Sequence, residues 1–296
     1  MDKSRLKALI DLLDDPDNLV FETVEQELLK EDDAIIPELE EKWEASFDET
    51  SQERIENLIQ DLQFKKTRNM LYNWLSSNKA DLLEGFLIID RFQYPDVNGD
   101  VVFQKIEKIK NTVWLELNDS LTLLEKTTIL NHFLFNVHGF SINHSNLKSP
   151  QNCYLNQLLD TKKGNPVSLS LLYTILARKL GLPVFFIDFP KNPLVAVVDS
   201  DLARKVHGNK SKSDVLFYIN PSNKGSIASR KEVNYHLKKY KFTPENKFSE
   251  PQPDRLLFQR LLELLRDSFR AVGFVEKEAR TEQLLQLFDV TVGTKE

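Results

Sequence analysis

The chain has 296 residues, 41% of them apolar and 28% charged, a net charge of −6 and a single cysteine. That length suits one large or two to three small domains, and the lone thiol excludes both an internal disulfide framework and a cysteine-rich zinc site. No apolar run approaches the roughly 18 residues of a membrane span. Acidic residues also interrupt MDKSRLKALIDLLDD where a secretory signal would continue its apolar stretch, so the reading is of a soluble, cytoplasmic protein with no membrane partner.

Residues 1–62 hold 20 Asp and Glu against 6 Lys and Arg, which leaves +8 for the remainder. An acidic N-terminal lobe repels nucleic acid and the rest is only mildly basic, so no nucleic-acid partner is expected. Within this lobe Leu6, Leu9, Ile10 and Leu13 follow the i, i+3, i+4, i+7 rhythm of a helix with one buried stripe. Asp15-Pro16-Asp17 stops that helix and caps the next, because proline cannot donate the helix hydrogen bond while Asp accepts from free amides. The second pattern presents Phe21, Val24, Leu28 and Leu29; a third runs through Ile36, Leu39 and Trp43. The phrase LLDDPDNLVFETVEQELLK, followed by AIIPELEEKW, resembles a HEAT-type repeat, whose units bury their faces only by stacking. The same pattern also suits a plain helical bundle.

A further helix is expected from Ile55 to Trp74. Two more are expected in DLLEGFLIIDRFQYPDVNGDVVFQKIEKIKNTVWLELND, separated at Tyr94-Pro95-Asp96 and Asn98-Gly99, then one from Leu121 to Val137 that ends at Gly139. In KKGNPVSLSLLYTILARKLGLP, Asn165 suits the N-cap and Pro166 the first turn. Leu169, Leu172, Tyr173 and Leu176 recur at helix spacing, and Gly181 with Pro183 ends the element. VFFIDF (184–189), LVAVVD (194–199) and VLFYIN (215–220) then read as three antiparallel strands. RKVHGNKSKS (204–213) reads as a solvated hairpin tip, and residues 244–253, with their prolines, as a linker. RLLFQRLLELLRDSFRAVGF and KEARTEQLLQLFD close the chain as a helix pair. The order defines an α+β fold, predominantly α.

A helix that starts after Gly164 places free amides and a positive dipole end where cysteine enzymes keep their thiol. Such enzymes also need a histidine and an Asp or Asn from neighbouring strands. From about Asp81 to Phe288 the chain resembles the SirB-type branch of the bacterial transglutaminase-like superfamily. The matching phrases are DLLEGFLIIDRFQYPD, NHFLFNVHGFSIN, SPQNCYLNQLLDTKKGNPVSLSLLYTILARKLGLPV, FFIDFPKNPLVAVV, LFYINPSNKG and LLFQRLLELLRDSF. The resemblance implies a papain/transglutaminase-like core, a central helix packed on a small antiparallel sheet with helical extensions at both ends. Its expected domains are a HEAT-like lobe at 1–78, the core with its leading helices at 79–243 and a TPR-like helix pair at 254–290.

Carried over residue by residue, the resemblance puts Pro166 where the cysteine belongs, Asn192 where the branch has histidine, and Asn220 where an Asp is expected. Proline offers no nucleophile and an amide is no general base near neutral pH. The implied protein is therefore a non-catalytic scaffold that binds a protein or peptide. Two alternatives stand beside it. One is a cysteine-type hydrolase or acyltransferase with Cys153 as an unconventional nucleophile, at a position where the family commonly has serine; the other is an adaptor whose helical lobe carries the function. Ser168 and Ser170 lie in the first turns of the central helix and read as capping and small-residue packing positions. His132, His138, His144, His207 and His236 form no ligand pair, so no metal is expected, and the absence of a phosphate-cradling or dinucleotide motif gives no cofactor.

Overall fold

A computed structural model describes residues 2–77, 81–208, 213–243 and 248–292. The chain forms two compact units, one of Met1–Asn73 with Arg91–Pro95, the other of Trp74–Asp90 with Asp96–Glu296. Helices predominate and the sheets are small, so the α+β, mostly helical class expected from the element order is the class found.

The first unit holds α1 (Lys3–Asp11), α2 (Asn18–Leu28), α3 (Ile36–Ala45) and most of α4 (Glu49–Ser76). The Asp-Pro-Asp break acts as its chemistry dictates: Asp17 Oδ1 accepts the Leu19 amide at 2.8 Å and Asp15 Oδ1 that of Asp17 at 2.8 Å. Ile10, Leu13, Phe21, Val24, Leu28, Leu39, Ile55, Leu58 and Leu62 form one buried cluster, the burial of an apolar stripe from each helix. One member of the expected stripe departs from it. Trp43 is 38% exposed and Ile35, in a short 3₁₀ turn before α3, fills the interior instead.

The second unit includes most of α5 (Leu82–Gln93), then α6 (Gly99–Trp114) and α7 (Leu123–Asn131). The helix expected to run unbroken from Leu121 to Val137 starts behind a Thr122–Glu125 capping box and changes to a π-helix over His132–Val137. Strand β1 (Ser141–Ile142), helix α8 (Leu155–Thr161) and strand β2 (Lys163–Gly164) follow, with β1 and β2 paired in parallel. Next come α9 (Pro166–Lys179), β3 (Val184–Ile187), β4 (Leu194–Val198), α10 (Ser200–His207), β5 (Val215–Asn220), β6 (Ser226–Ala228), α11 (Arg230–Lys239), α12 (Asp254–Val272) and α13 (Val275–Val292).

Strands β3 to β6 form an antiparallel sheet in sequential order, with Ala196 opposite Tyr218 and Asn220 opposite Ser226. The three expected strands are present and β6 adds a fourth. Leu194, Val195, Ala196 and Val197 are all buried, which requires cover on both faces. Val233 and Leu237 of α11 pack with Leu194, Ala196 and Tyr218, while α9 packs against β3 and β4. Every residue of α9 from Val167 to Ala177 is buried, the pattern of a helix enclosed on all sides.

Two expectations are corrected. The polar stretch read as a hairpin tip at 204–213 is helical through His207, because Asp199 caps the Leu202 amide at 2.9 Å and starts α10 at Ser200; residues 209–212 lie outside the described residues. Of the expected linker, 244–247 also lie outside them, and the rest is tied to the core rather than free. Gln252 N donates to Phe186 O at 2.8 Å, Tyr218 Oη to Ser249 O at 2.7 Å, and Glu250 pairs with Arg230 at 2.6 Å. Beyond it, Asp254 in the first turn of α12 receives both Arg178 guanidinium nitrogens at 2.5 and 2.9 Å, and Arg260 reaches Asp188 at 2.7 Å.

Candidate functional cleft

The start of α9 is specified locally. Asn165 Oδ1 accepts the amides of Val167 at 2.9 Å and Ser168 at 2.8 Å, and Ser168 Oγ accepts the Asn165 amide at 2.9 Å. Pro166 occupies the first turn without needing a donor. Two of the amides that could stabilise an anion at this terminus are thus already satisfied by the cap. Gly164 has no room for a side chain, since a Cβ there would stand 2.6 Å from Ser168 Oγ.

The same cap reaches the lone thiol. Asn165 Nδ2 donates to Cys153 Sγ at 3.1 Å, so the fold brings Cys153 to the beginning of α9 although twelve residues separate the two. Cys153 is 1% exposed, and burial pushes its pKa up to about 12, against the smaller lowering effect of the Asn165 hydrogen bond. A thiol in that state is protonated at neutral pH and presents little thiolate.

Asn192 and Asn220 come from the β3–β4 turn and the end of β5. They line one cleft of about 270 Å³, together with Lys191, Tyr218, His236 and Tyr240. Pro166 is not among the residues lining it, yet it lies close to the turn: Ser170 Oγ stands 2.9 Å from Pro166 O and 3.3 Å from Pro193 O, so one hydroxyl joins the start of α9 to the residue after Asn192. The Asn192 turn is tight, with Asn192 N donating to Pro190 O at 3.0 Å and Lys191 at φ +71°. Asn220 Oδ1 accepts the Ser222 amide at 3.1 Å, which fixes the orientation of its amide group. The loop that follows is held by Asn131 Nδ2, which donates to Gly225 O at 2.8 Å. Gly225 has φ +71°, and a Cβ there would meet Asn131 at 2.4 Å.

Ser168 and Ser170 serve in backbone hydrogen bonds, as their positions suggest. His138 is far from this chemistry in role: it shares a hydrogen bond with Thr112 Oγ1 at 3.3 Å, and burial, then Lys162 and Lys108, holds its pKa below the ordinary value. His236 is the imidazole in the cleft, and sequence reasoning overlooked it. The signal was available: Ser229 and Glu232 form a capping box, and Val233 and Leu237 recur at i, i+4, which marks a helix with His236 beside its buried face.

Among the described residues no group of three or more His, Cys, Asp or Glu side chains could hold a metal ion, and no helix is long and apolar enough to cross a membrane.

A buried helix whose first turn adjoins a four-stranded antiparallel sheet, with strand and turn residues converging on a cleft, is the core of the papain and transglutaminase class. The chain belongs to the transglutaminase-like superfamily, whose family model matches residues 100–263. Among curated proteins it is similar to a UPF0162 protein of Xylella fastidiosa strain 9a5c, 25% identical over 70% of this chain and 71% of that one. It is also similar to the UPF0162 protein YchA of Escherichia coli K12, 23% identical over 72% and 75%. Human F-box only protein 21 is 30% identical over 36% of this chain, a stretch that makes up 16% of the human protein. No solved structure matches the chain.

Proposed function

We propose that this protein is a non-catalytic, SirB-type member of its superfamily that binds a protein or peptide in the cleft between Asn192 and Asn220. The observation that carries the reading is the chemistry gathered there: two carboxamides line the cleft, and the chain's single thiol lies elsewhere, buried and held protonated. The amide of Asn192 cannot take a proton from a nucleophile as the expected histidine would, although an Asn at 220 is able to orient an imidazole. The domain organisation proposed with it is a HEAT-like lobe at 1–78, the core at 79–243 and a TPR-like helix pair at 254–290. No cofactor and no nucleic acid belong to this reading, and its site is cytoplasmic.

One observation favours a second reading, a hydrolase or acyltransferase using Cys153: the contact of that thiol with Asn165 at the start of α9. Turnover of fluorogenic ester and amide substrates, and of an amine-transfer substrate, separates the two. The scaffold reading expects rates equal to those of Cys153→Ser and of buffer; turnover abolished by alkylating Cys153 would overturn it.

A further inference from the structure

We infer that the cleft at Asn192 and Asn220 recognises a carboxylate of its peptide ligand, an inference that rests on the binding function proposed above. Its first support is the polarity of Asn220. Because Oδ1 is committed to the Ser222 amide, and a backbone N–H can only donate, the group left for the cleft is the NH₂. At the position where a carboxylate acceptor was expected, the cleft therefore has a donor.

The second support is charge. Among the described residues lining the cleft there is no Asp or Glu, whereas Lys191 and His236 are both present. Of the nearby carboxylates, Asp188 is paired with Arg260 at 2.7 Å, while Glu232 accepts the Ser229 amide and hydroxyl at 2.7 Å each and stays an anion that also interacts with His236. Residues 220–243, which supply one wall, carry six Lys and Arg against Glu232 alone. Arg230, one of the six, is paired with Glu250. None of those six lines the cleft, so Lys191 is its lining cation among the described residues, and a concave site with amide donors, one ammonium and no lining anion favours a negatively charged ligand.

The third support is Lys191 itself. It holds a left-handed backbone at φ +71°, where glycine is the unstrained choice, and its ammonium sits 4.5 Å from the ring centroid of Tyr240, which also lines the cleft. Lys162, Lys224 and Lys241 share a left-handed backbone; what sets Lys191 apart is that it alone of the four lines the cleft. A carboxylate entering there meets the Lys191 ammonium and the Asn220 NH₂, with Asn223 Nδ2, already bonded to Ser226 Oγ at 3.1 Å, at the same wall.

The test uses the full chain and three random-sequence peptide libraries analysed by affinity selection and mass spectrometry. One library has free C-terminal carboxylates and no acidic residues, one is C-terminally amidated and contains Glu, and one is amidated with Gln in place of Glu. Retention of the first or the second at least tenfold above the third is expected, and it shows whether the carboxylate is terminal or a side chain. For selected peptides, Asn220→Asp should lower affinity at least tenfold, because it restores an anion while its carboxylate can still accept the Ser222 amide. Lys191→Gly should lower affinity severalfold and weaken its salt dependence. Equal retention of the third library, or unchanged affinity in Asn220→Asp, would overturn the carboxylate and leave peptide binding intact. If no library is retained, both the inference and the binding function fail.

Discussion

Asp90 is fully buried, and its carboxylate reaches from α5 to the start of α8, where Oδ1 accepts the Leu155 amide at 2.6 Å and Oδ2 the Asn156 amide at 2.9 Å. Tyr154, the residue at the N-cap of α8, makes no side-chain cap of its own, so the cap is supplied from another helix. Asp90→Asn keeps one oxygen and turns the other acceptor into an NH₂ facing an N–H. A hydrogen bond to a charged acceptor contributes about 1.5–3 kcal/mol and a stranded buried donor costs about 1–3 kcal/mol, so a loss of about 3 kcal/mol is expected. At about 2–4 °C per kcal/mol for a unit of this size, the melting temperature should fall by about 6–12 °C. Urea unfolding of the full chain, followed by circular dichroism, gives the free energy, and Glu84→Gln, at an exposed position of the same helix, should match wild type. An Asp90→Asn variant within about 0.5 kcal/mol of wild type would refute the assignment of the carboxylate as the cap of α8.

Three further outcomes are expected. Because the folded Cys153 thiol retains its proton to about pH 12 while an unfolded thiol releases it near the ordinary value, this group's contribution to stability is lost as pH rises above about 9. Between pH 8 and 10, wild type should lose about 1.4 kcal/mol more stability than Cys153→Ala in denaturant titrations; parallel curves would contradict the burial of the thiol. At Gly85 an added Cβ would stand 2.7 Å from Trp74 Cε2 and 2.9 Å from Phe258 Cζ, so Gly85→Ala should cost about 1–3 kcal/mol through overpacking and change the emission of Trp74, while Gly85→Ala emission identical to wild type would show the site to be looser than it looks. In a Cys153→Ala background, the triple change Pro166→Cys, Asn192→His and Asn220→Asp should give a thiol that iodoacetamide labels with a midpoint below the ordinary thiol pKa of about 8.5. Pro166→Cys alone should lack that shift, and identical profiles would show that the three positions do not meet.

The central element was legible because its signals are local. Asn165, Pro166, Gly181 and Pro183 each punctuate the backbone by their own chemistry, and the short β-branched and aromatic runs of β3, β4 and β5 need no partner to be recognised. What escaped notice depends on distant residues or on very short segments. Strand β6 is three residues, Ser226–Ala228, defined by its pairing with Tyr218 and Asn220 rather than by composition. Helix α10 is polar and basic, so its sequence reads as a loop, and the cap that starts it is a bond from the Leu202 amide to Asp199. Asn192 and Asn220 could be singled out from resemblance, but their meeting in one cleft with His236 and Tyr240 arises from α11 covering the sheet, which leaves no trace in the spacing of those four residues. The contact between Cys153 and Asn165 was hidden for the same reason.

The bonds made by Arg178, Arg260 and Gln252 have a consequence for the integrity of the second unit. Arg178 joins α9 to the first residue of α12, Gln252 hydrogen-bonds to β3, and Arg260 holds the residue after β3. Leu257, Phe258, Leu261 and Leu262 are also fully buried. Cutting the polypeptide on the N-terminal side of Gln252 would therefore sever the covalent connection without removing what keeps α12 in place. The two pieces should co-migrate in native buffer and part only in denaturant, and separately expressed halves should reassociate by complementation.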